Sequence, residues 1–326
     1  MSRPGIAIAG GAPVELVVLV VVAAWAAAVD FAGAPNPIPF IERDPSLSYP
    51  RMQQTVPTSV LVAISIGVPG VMYALGALLA VVRRKLSLWA ALVPFAWLCI
   101  ALAQALLLSD AIANTAKVWM SFQRPNYFAL CDYKGFLSNS TAYLQATVPG
   151  ALGDPGRCVG NDAWDAQRSF PSGHATTATA GMAMASLFLR AALGVRRGDY
   201  YGPASLAATA PLVIALWISI SRVRDRWHNV VDVISGAILG ALCAVLAWAH
   251  FQSQNRGRGL LAGSPPPCVG QSTVTAALLD KGSGDRQHDG APAPVGPASV
   301  ACQVTDAAAS LDPELEGHGD AIARSL

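Results

Sequence analysis

The sequence predicts an all-α, polytopic membrane protein built on six transmembrane helices, and two observations predict it. Of its 326 residues, 53% are hydrophobic and only 13% are charged, whereas a soluble domain carries roughly 25% charged residues. Lipid, rather than water, is the solvent that such a composition suits. Six apolar stretches are also long enough to cross a bilayer, which takes about 20 helical residues. They cover approximately residues 14–33, 58–82, 88–116, 172–193, 204–220 and 229–250.

The first stretch resembles a cleaved leader in its Ala-rich end, but Arg3 is a lone early cation and Glu15 interrupts the apolar run. It reads as an uncleaved anchor helix. The third stretch is long and the fifth short. Arg83, Arg84 and Lys85 follow the second helix, Arg190, Arg196 and Arg197 close the fourth, and Arg256 and Arg258 follow the sixth. If six helices alternate, these clusters share one side, which the positive-inside rule makes cytoplasmic. Both termini then face the cytoplasm, while residues 121–170 and 221–228 face the other compartment. Residues 1–252 form the transmembrane domain. Residues 253–326, with SPPPC, KGSGDRQHDG and APAPVGPASV, hold too few large apolar residues to offset chain entropy and read as a disordered cytoplasmic tail.

Several functions are disfavoured from the start. A net charge of +2 is too small to recruit nucleic acid. There is no Gly-rich phosphate loop and no CxxC pair. The six cysteines, Cys99, Cys131, Cys158, Cys243, Cys268 and Cys302, are scattered, so no zinc site is expected.

Three patches carry polar groups that a bilayer protein would otherwise avoid. In KVWMSFQRP, Lys117 and Arg124 are seven residues apart and would share a face on a continuing helix. Two such cations can clamp an anion, or can simply snorkel to headgroups. In FPSGH, Ser172, Gly173 and His174 stand at the start of the fourth helix. A helix N-terminus offers free N–H groups and a positive dipole end to a phosphate. Gly173 permits close backbone approach, Ser172 adds a hydroxyl or merely caps the helix, and His174 can exchange a proton near neutral pH. In SRVRDRWHNVVD, His228 and Asp232 are four apart, the spacing that stacks side chains on a helix. A carboxylate on Nδ1 leaves the Nε2 lone pair free for attack, although a helix-start ion pair would have the same spacing. Arg222 can bind two phosphate oxygens at once. In the six-helix topology all three patches emerge on one side. Together they supply the parts for phosphoryl transfer with cations in the role of a metal. The remaining histidines, His250, His288 and His318, lie at the opposite helix end or in the tail and receive no catalytic role.

The pattern Lys-x6-Arg-Pro, Pro-Ser-Gly-His and Ser-Arg-x5-His-x3-Asp, here Lys117 to Pro125, Pro171 to His174 and Ser221 to Asp232, resembles the three-part signature of type-2 phosphatidic acid phosphatases, without a departure. The loop ERDPSLSYPRMQQTVP is similar to that of eukaryotic lipid phosphate phosphatases and diacylglycerol pyrophosphate phosphatases. The resemblance covers roughly residues 14–250. It implies His228 as nucleophile, Asp232 as the acid that orients it, His174 as leaving-group acid, and Lys117, Arg124, Ser172, Gly173 and Arg222 as phosphate ligands. It also implies a phosphorylated lipid in the bilayer as substrate (phosphatidate, lysophosphatidate, sphingoid-base phosphate, ceramide phosphate or diacylglycerol pyrophosphate) and neither metal nor cofactor. Cys131 and Cys158 are similar to paired cysteines in such enzymes and are expected to form a disulfide. Asn139-Ser140-Thr141 is an N-glycosylation acceptor in a eukaryotic lumenal or extracellular loop. A polyprenyl diphosphate phosphatase would use the same site. Vanadium haloperoxidases share the pattern but are soluble, and a non-catalytic lipid-binding relative would lack part of it.

Overall fold

A computed structural model describes residues 12–34, 36, 38–84, 87–195 and 202–254. The proposed tail beyond Gln254 and the cations Lys85, Arg196, Arg197, Arg256 and Arg258 lie outside the described residues.

Six long helices are present: α1 (Ala12–Ala32), α2 (Thr58–Arg84), α3 (Leu88–Met120), α7 (Gly173–Ala192), α8 (Pro203–Arg224) and α9 (Val230–Gln254). Three short ones, α4 (Tyr127–Cys131), α5 (Ser140–Ala146) and α6 (Ala163–Ala166), lie between α3 and α7. Five of the six long helices are apolar and long enough to span a membrane; α7 is the exception. The chain is a multi-pass membrane protein, but its fourth predicted span owes little to hydropathy. α7 packs against α2, α3, α8 and α9 and therefore needs small side chains more than lipophilic ones. A Cβ on Gly181 would fall 2.4 Å from Ser65 O, and one on Gly240 of α9 would fall 2.2 Å from Thr176 O. These glycines let the helices touch backbone to backbone. The lipophilic residues are on the outside: Val17, Val20, Leu79, Trp89, Val213 and Leu246 are all exposed.

Helix α9 continues to Gln254, past the predicted end of the sixth span at residue 250. The third span extends to Met120 and the fifth to Arg224. α1 is held to the bundle by packing on α3 and by polar ties. Trp25 Nε1 donates to Thr115 Oγ1 at 3.0 Å, Arg168 pairs with Asp30 at 2.8 Å, and His250 meets Glu15 at 2.8 Å.

The segments preceding α2 and α7 build a small cap with its own core. Strand β1 (Phe40–Ile41) pairs antiparallel with β2 (Leu152–Gly153). Phe40 is buried among Tyr127, Phe128 and Tyr133, with ring centroids 4.9, 5.6 and 5.0 Å away. Gly153 faces this ring, and a Cβ there would lie 2.2 Å from it. Cys131 and Cys158 are disulfide-bonded with Cα atoms 5.0 Å apart, a closure that stabilises by roughly 3 kcal/mol. Glu42, buried in the cap, accepts from Lys134 Nζ at 2.6 Å, Tyr133 Oη at 2.7 Å and the Val148 N–H at 2.8 Å. Burial pushes its carboxyl up, but these bonds outweigh burial and hold it below the usual carboxylate range. Asn139 is exposed and caps α5 through Oδ1, which accepts from the Ala142 N–H at 3.0 Å.

Candidate active site

The site begins at the end of α3. The helix does not continue to Arg124, so the face that Lys117 and Arg124 would share on a continuing helix does not form. Ser121 takes a left-handed conformation (φ 46°) and its N–H closes on Lys117 O, so the chain turns off the helix axis. Lys117 remains on the last turn, whereas Arg124 reaches the site from an extended segment fixed by α6. Arg124 Nε donates to Asp165 O at 2.8 Å and Nη2 to Asp165 Oδ1 at 2.7 Å. Its guanidinium also lies 5.3 Å from the centroid of Trp227.

The start of α7 supplies the second group. Ser172 is the N-cap, with Oγ accepting from the Ala175 N–H at 3.5 Å. It is fully buried and caps rather than lines the cavity described below. Gly173 does line it, and a Cβ there would come 3.0 Å from Lys117 Nζ. His174 Nε2 lies 3.1 Å from Val56 O. A carbonyl only accepts, so this nitrogen carries a proton.

The turn between α8 and α9 supplies the third. Arg222, 1% exposed, donates from Nη1 to Val56 O at 3.1 Å and to Gln54 Oε1 at 3.3 Å. Asp225 stands 3.5 Å from its Nη2. The segment 52–56 is thus a strap across the site. Met52 O accepts from Trp227 Nε1 at 3.0 Å, and Thr55 bonds Asp225 through N at 2.6 Å and Oγ1 at 2.7 Å.

His228 precedes α9 rather than starting it. Its Nε2 lies 3.2 Å from Arg124 Nη1. A guanidinium only donates, so Nε2 is unprotonated and the ring proton sits on Nδ1. Nδ1 faces Asp232 Oδ2 at 3.7 Å, which is ion-pair range but longer than a hydrogen bond. The predicted stacking therefore brings the two together without closing a bond. Asp232 Oδ2 instead accepts from Ser169 Oγ at 2.6 Å and the Asn229 N–H at 2.9 Å. Its carbonyl accepts from the Ser172 N–H at 2.9 Å, which ties α9 to the α7 cap.

Burial, and then the Arg124 charge, push the His228 imidazole down to about 4. It is therefore neutral across the physiological range. A histidine's ordinary value is about 6.5, so the unfolded chain takes up this proton first, and the contribution to stability is lost as pH falls from about 6.5 towards 4. Histidine-selective NMR titration of the purified protein should place the His228 midpoint well below 6.5. Arg124→Ala should raise it, by removing a nearby cation and admitting water. A midpoint at or above 6.5 in the unmodified protein would contradict this geometry.

Lys117, Arg124, Arg222, Gly173, His174 and His228 all line one cavity of about 460 Å³. Apolar side chains line it as well: Leu61, Val62 and Ile66 of α2 and Leu106 and Leu107 of α3. Sequence reasoning missed two acids on its lining, Asp110 and Asp165. It also missed Ser169, Asn114 and the backbone of the strap. Asp165 stands seven residues before Ser172 in the same loop, but nothing in its neighbourhood marks it as the partner of Arg124. Asp110 did carry a signal, an acid inside an apolar span.

Comparison with known proteins covers the segment that carries these groups. Residues 96–256 match the PAP2 superfamily. Lipid phosphate phosphatase 1 of Arabidopsis thaliana is 30% identical over 149 residues, 45% of this chain and 42% of the relative. Phospholipid phosphatase 2 of Homo sapiens is 26% identical over 191 residues, 56% and 61% respectively. The probable diacylglycerol pyrophosphate phosphatase 1 of Schizosaccharomyces pombe is 33% identical over 87 residues, 27% and 31%. The chain thus spans about a third to three-fifths of the length of these relatives. No solved structure matches. The matched segment runs from the middle of α3 to the end of α9 and contains all three motif patches, and on that ground the chain belongs to the PAP2 superfamily.

Proposed function

We propose that the protein is an integral-membrane lipid phosphate phosphatase, which hydrolyses the phosphomonoester of phosphatidate and related lipids through a phosphohistidine on His228, without a divalent metal. The observation that carries this reading is the convergence of three cations, a helix N-terminus and two histidines on one cavity that apolar side chains of α2 and α3 also line. Polar groups and apolar side chains in one cavity suit an amphiphile. The relatives named above are called lipid or phospholipid phosphatases, which supports the same class.

In this mechanism Lys117, Arg124, Arg222 and the Gly173 N–H take the phosphate oxygens, so that charge developing on them is met by fixed donors. The incoming phosphate draws Arg124 off His228 Nε2 and frees the lone pair. Nε2 attacks phosphorus, the phosphorus–oxygen bond to the lipid breaks, and His174, protonated beside the bound phosphate, gives its proton to the leaving alkoxide. The Nδ1 proton of His228 closes on Asp232, which stabilises the imidazolium charge. Water, deprotonated by the now neutral His174, releases phosphate from His228. By the loop charges, the site faces away from the cytoplasm, in the compartment where the Cys131–Cys158 bond persists and Asn139 is an acceptor.

Phosphate release in detergent micelles tests the reading. Phosphatidate, lysophosphatidate, sphingosine phosphate, diacylglycerol pyrophosphate and a polyprenyl diphosphate should be compared with and without excess chelator. At least one phosphomonoester lipid is expected to turn over at a rate that chelator leaves unchanged. Turnover of the polyprenyl diphosphate alone would move the assignment to that class, and a strict magnesium requirement would overturn the mechanism.

A further inference from the structure

An acid inside an anion-binding cavity needs an explanation, because by charge alone it opposes the anion. Asp110 is such an acid. It lies two helical turns before Lys117 on α3, about 10 Å along the axis, and lines the same cavity. Neither it nor Asn114 belongs to the three motif patches. Asn114 Nδ2 donates to Asp110 Oδ2 at 3.2 Å, and Lys117 Nζ donates to Asn114 Oδ1 at 3.2 Å. Asp110, Asn114 and Lys117 thus form a continuous hydrogen-bonded row at spacings of four and three along one helix face. Asn114 is buried at 8% exposure, so its amide has little water to turn to.

We infer that Asp110 and Asn114 are positioning residues that aim Lys117 at the substrate phosphate. This inference rests on the phosphatase reading and deepens it. The chemistry of the row is directional. A carboxylate only accepts, so it claims the Nδ2 end of the amide and turns Oδ1 towards the ammonium. A lysine on its four-carbon stem otherwise samples many positions. Here one of its three N–H groups is committed to Asn114, and Nζ is held over the Cα of Gly173, where a Cβ would come within 3.0 Å. The other two N–H groups are left for the phosphate at the N-terminus of α7. Asp110 acts on phosphate through Asn114 and Lys117, not by contact.

The sign of the effect separates this role from a plain charge effect. Asp110→Ala and Asp110→Asn remove the same negative charge, but only the asparagine keeps an acceptor for Asn114. Orthovanadate binding to the purified full chain in micelles, measured by calorimetry, reads phosphate-site geometry without turnover. Asp110→Ala should weaken binding about tenfold, the scale of a hydrogen bond to a charged group, while Asp110→Asn stays within about threefold. Asn114→Ala, which changes no charge, should also weaken it about tenfold. The double variant Asp110→Ala, Asn114→Ala should be no worse than Asn114→Ala alone, because both act through one path. If Asp110→Ala does not fold, Asn114→Ala carries the test by itself. Vanadate affinity unchanged in Asn114→Ala, or equal in Asp110→Ala and Asp110→Asn, would overturn the inference while leaving the phosphatase reading intact. Absence of vanadate binding in the unmodified protein would overturn both.

Discussion

His228→Ala is expected to remove turnover almost completely, by about ten-thousandfold or more, and to abolish any covalent phosphoenzyme. The expectation follows from the tautomer. Nε2 is the one unprotonated ring nitrogen of His228, it faces the cations through Arg124 at 3.2 Å, and burial keeps the ring neutral. No other histidine among the described residues of the cavity has this arrangement, since His174 presents a protonated Nε2 to Val56 O. His174→Ala should therefore lose the leaving-group proton but retain the nucleophile. A nitrophenyl phosphate, whose leaving group needs no proton, should be hydrolysed in part by His174→Ala and not by His228→Ala. Acid-quenched labelling followed by peptide mapping would decide the matter. Phosphohistidine at position 174, or its survival in His228→Ala, would refute the assignment.

Arg222→Lys should be nearly as damaging, with kcat/KM down by roughly a thousandfold, the scale on which a phosphoryl-transfer arginine acts. The substitution keeps the charge. It loses the planar fork that lets one face of the guanidinium bond Val56 O and Gln54 Oε1 while Nε remains without a partner, available to a phosphate oxygen. A lysine has a single nitrogen and cannot serve both directions. Because Arg222 is 1% exposed and stands 3.5 Å from Asp225, some loss of stability is also expected. The melting temperature and vanadate affinity should be measured together. A folded Arg222→Lys variant with activity within tenfold of the unmodified protein would show that the fork is dispensable.

The chemistry of this site was more legible than its construction. Lys117, Arg124, His174, Arg222 and His228 could be singled out because each is a polar group in a sequence that is otherwise apolar, and Gly173 because it lets the backbone approach an anion at a helix start; all six line the cavity. Ser172 and Asp232 were singled out by the same logic and sit one layer behind, capping α7 and holding the α7 and α9 entries together. Local geometry was less legible. Lys117 and Arg124 would have shared a face only on a continuing helix, and Ser121 ends that helix at φ 46°, a conformation for which serine gives no warning. α7 was assigned as one of six apolar stretches, yet it is the one long helix that is not apolar enough to count as a span by hydropathy. A helix surrounded by four others is selected for closeness, which Ala, Gly and Thr provide without lipophilicity. Asp165 went unread because its partner, Arg124, is brought to it by tertiary contact, to which residue type gives no clue; Asn114 went unread although its partners stand four and three residues away on one helix.

The strap at 52–56 has a consequence for how such proteins can vary. Two of its anchoring groups, Met52 O and Val56 O, are main-chain oxygens, and any amino acid supplies an identical carbonyl. The Met52 side chain is exposed and can drift with little effect on Trp227, whereas Val56 is fully buried beside Leu61, Met182 and Ile218 and must stay apolar. The spacing cannot drift. One residue gained or lost between the cap and the first turn of α2 would slide the carbonyls out of register with their donors, and leave the buried Arg222 and the His174 imidazole facing the wrong atoms. Selection at this segment should therefore be written in its length as well as in the side chains of Gln54, Thr55 and Val56.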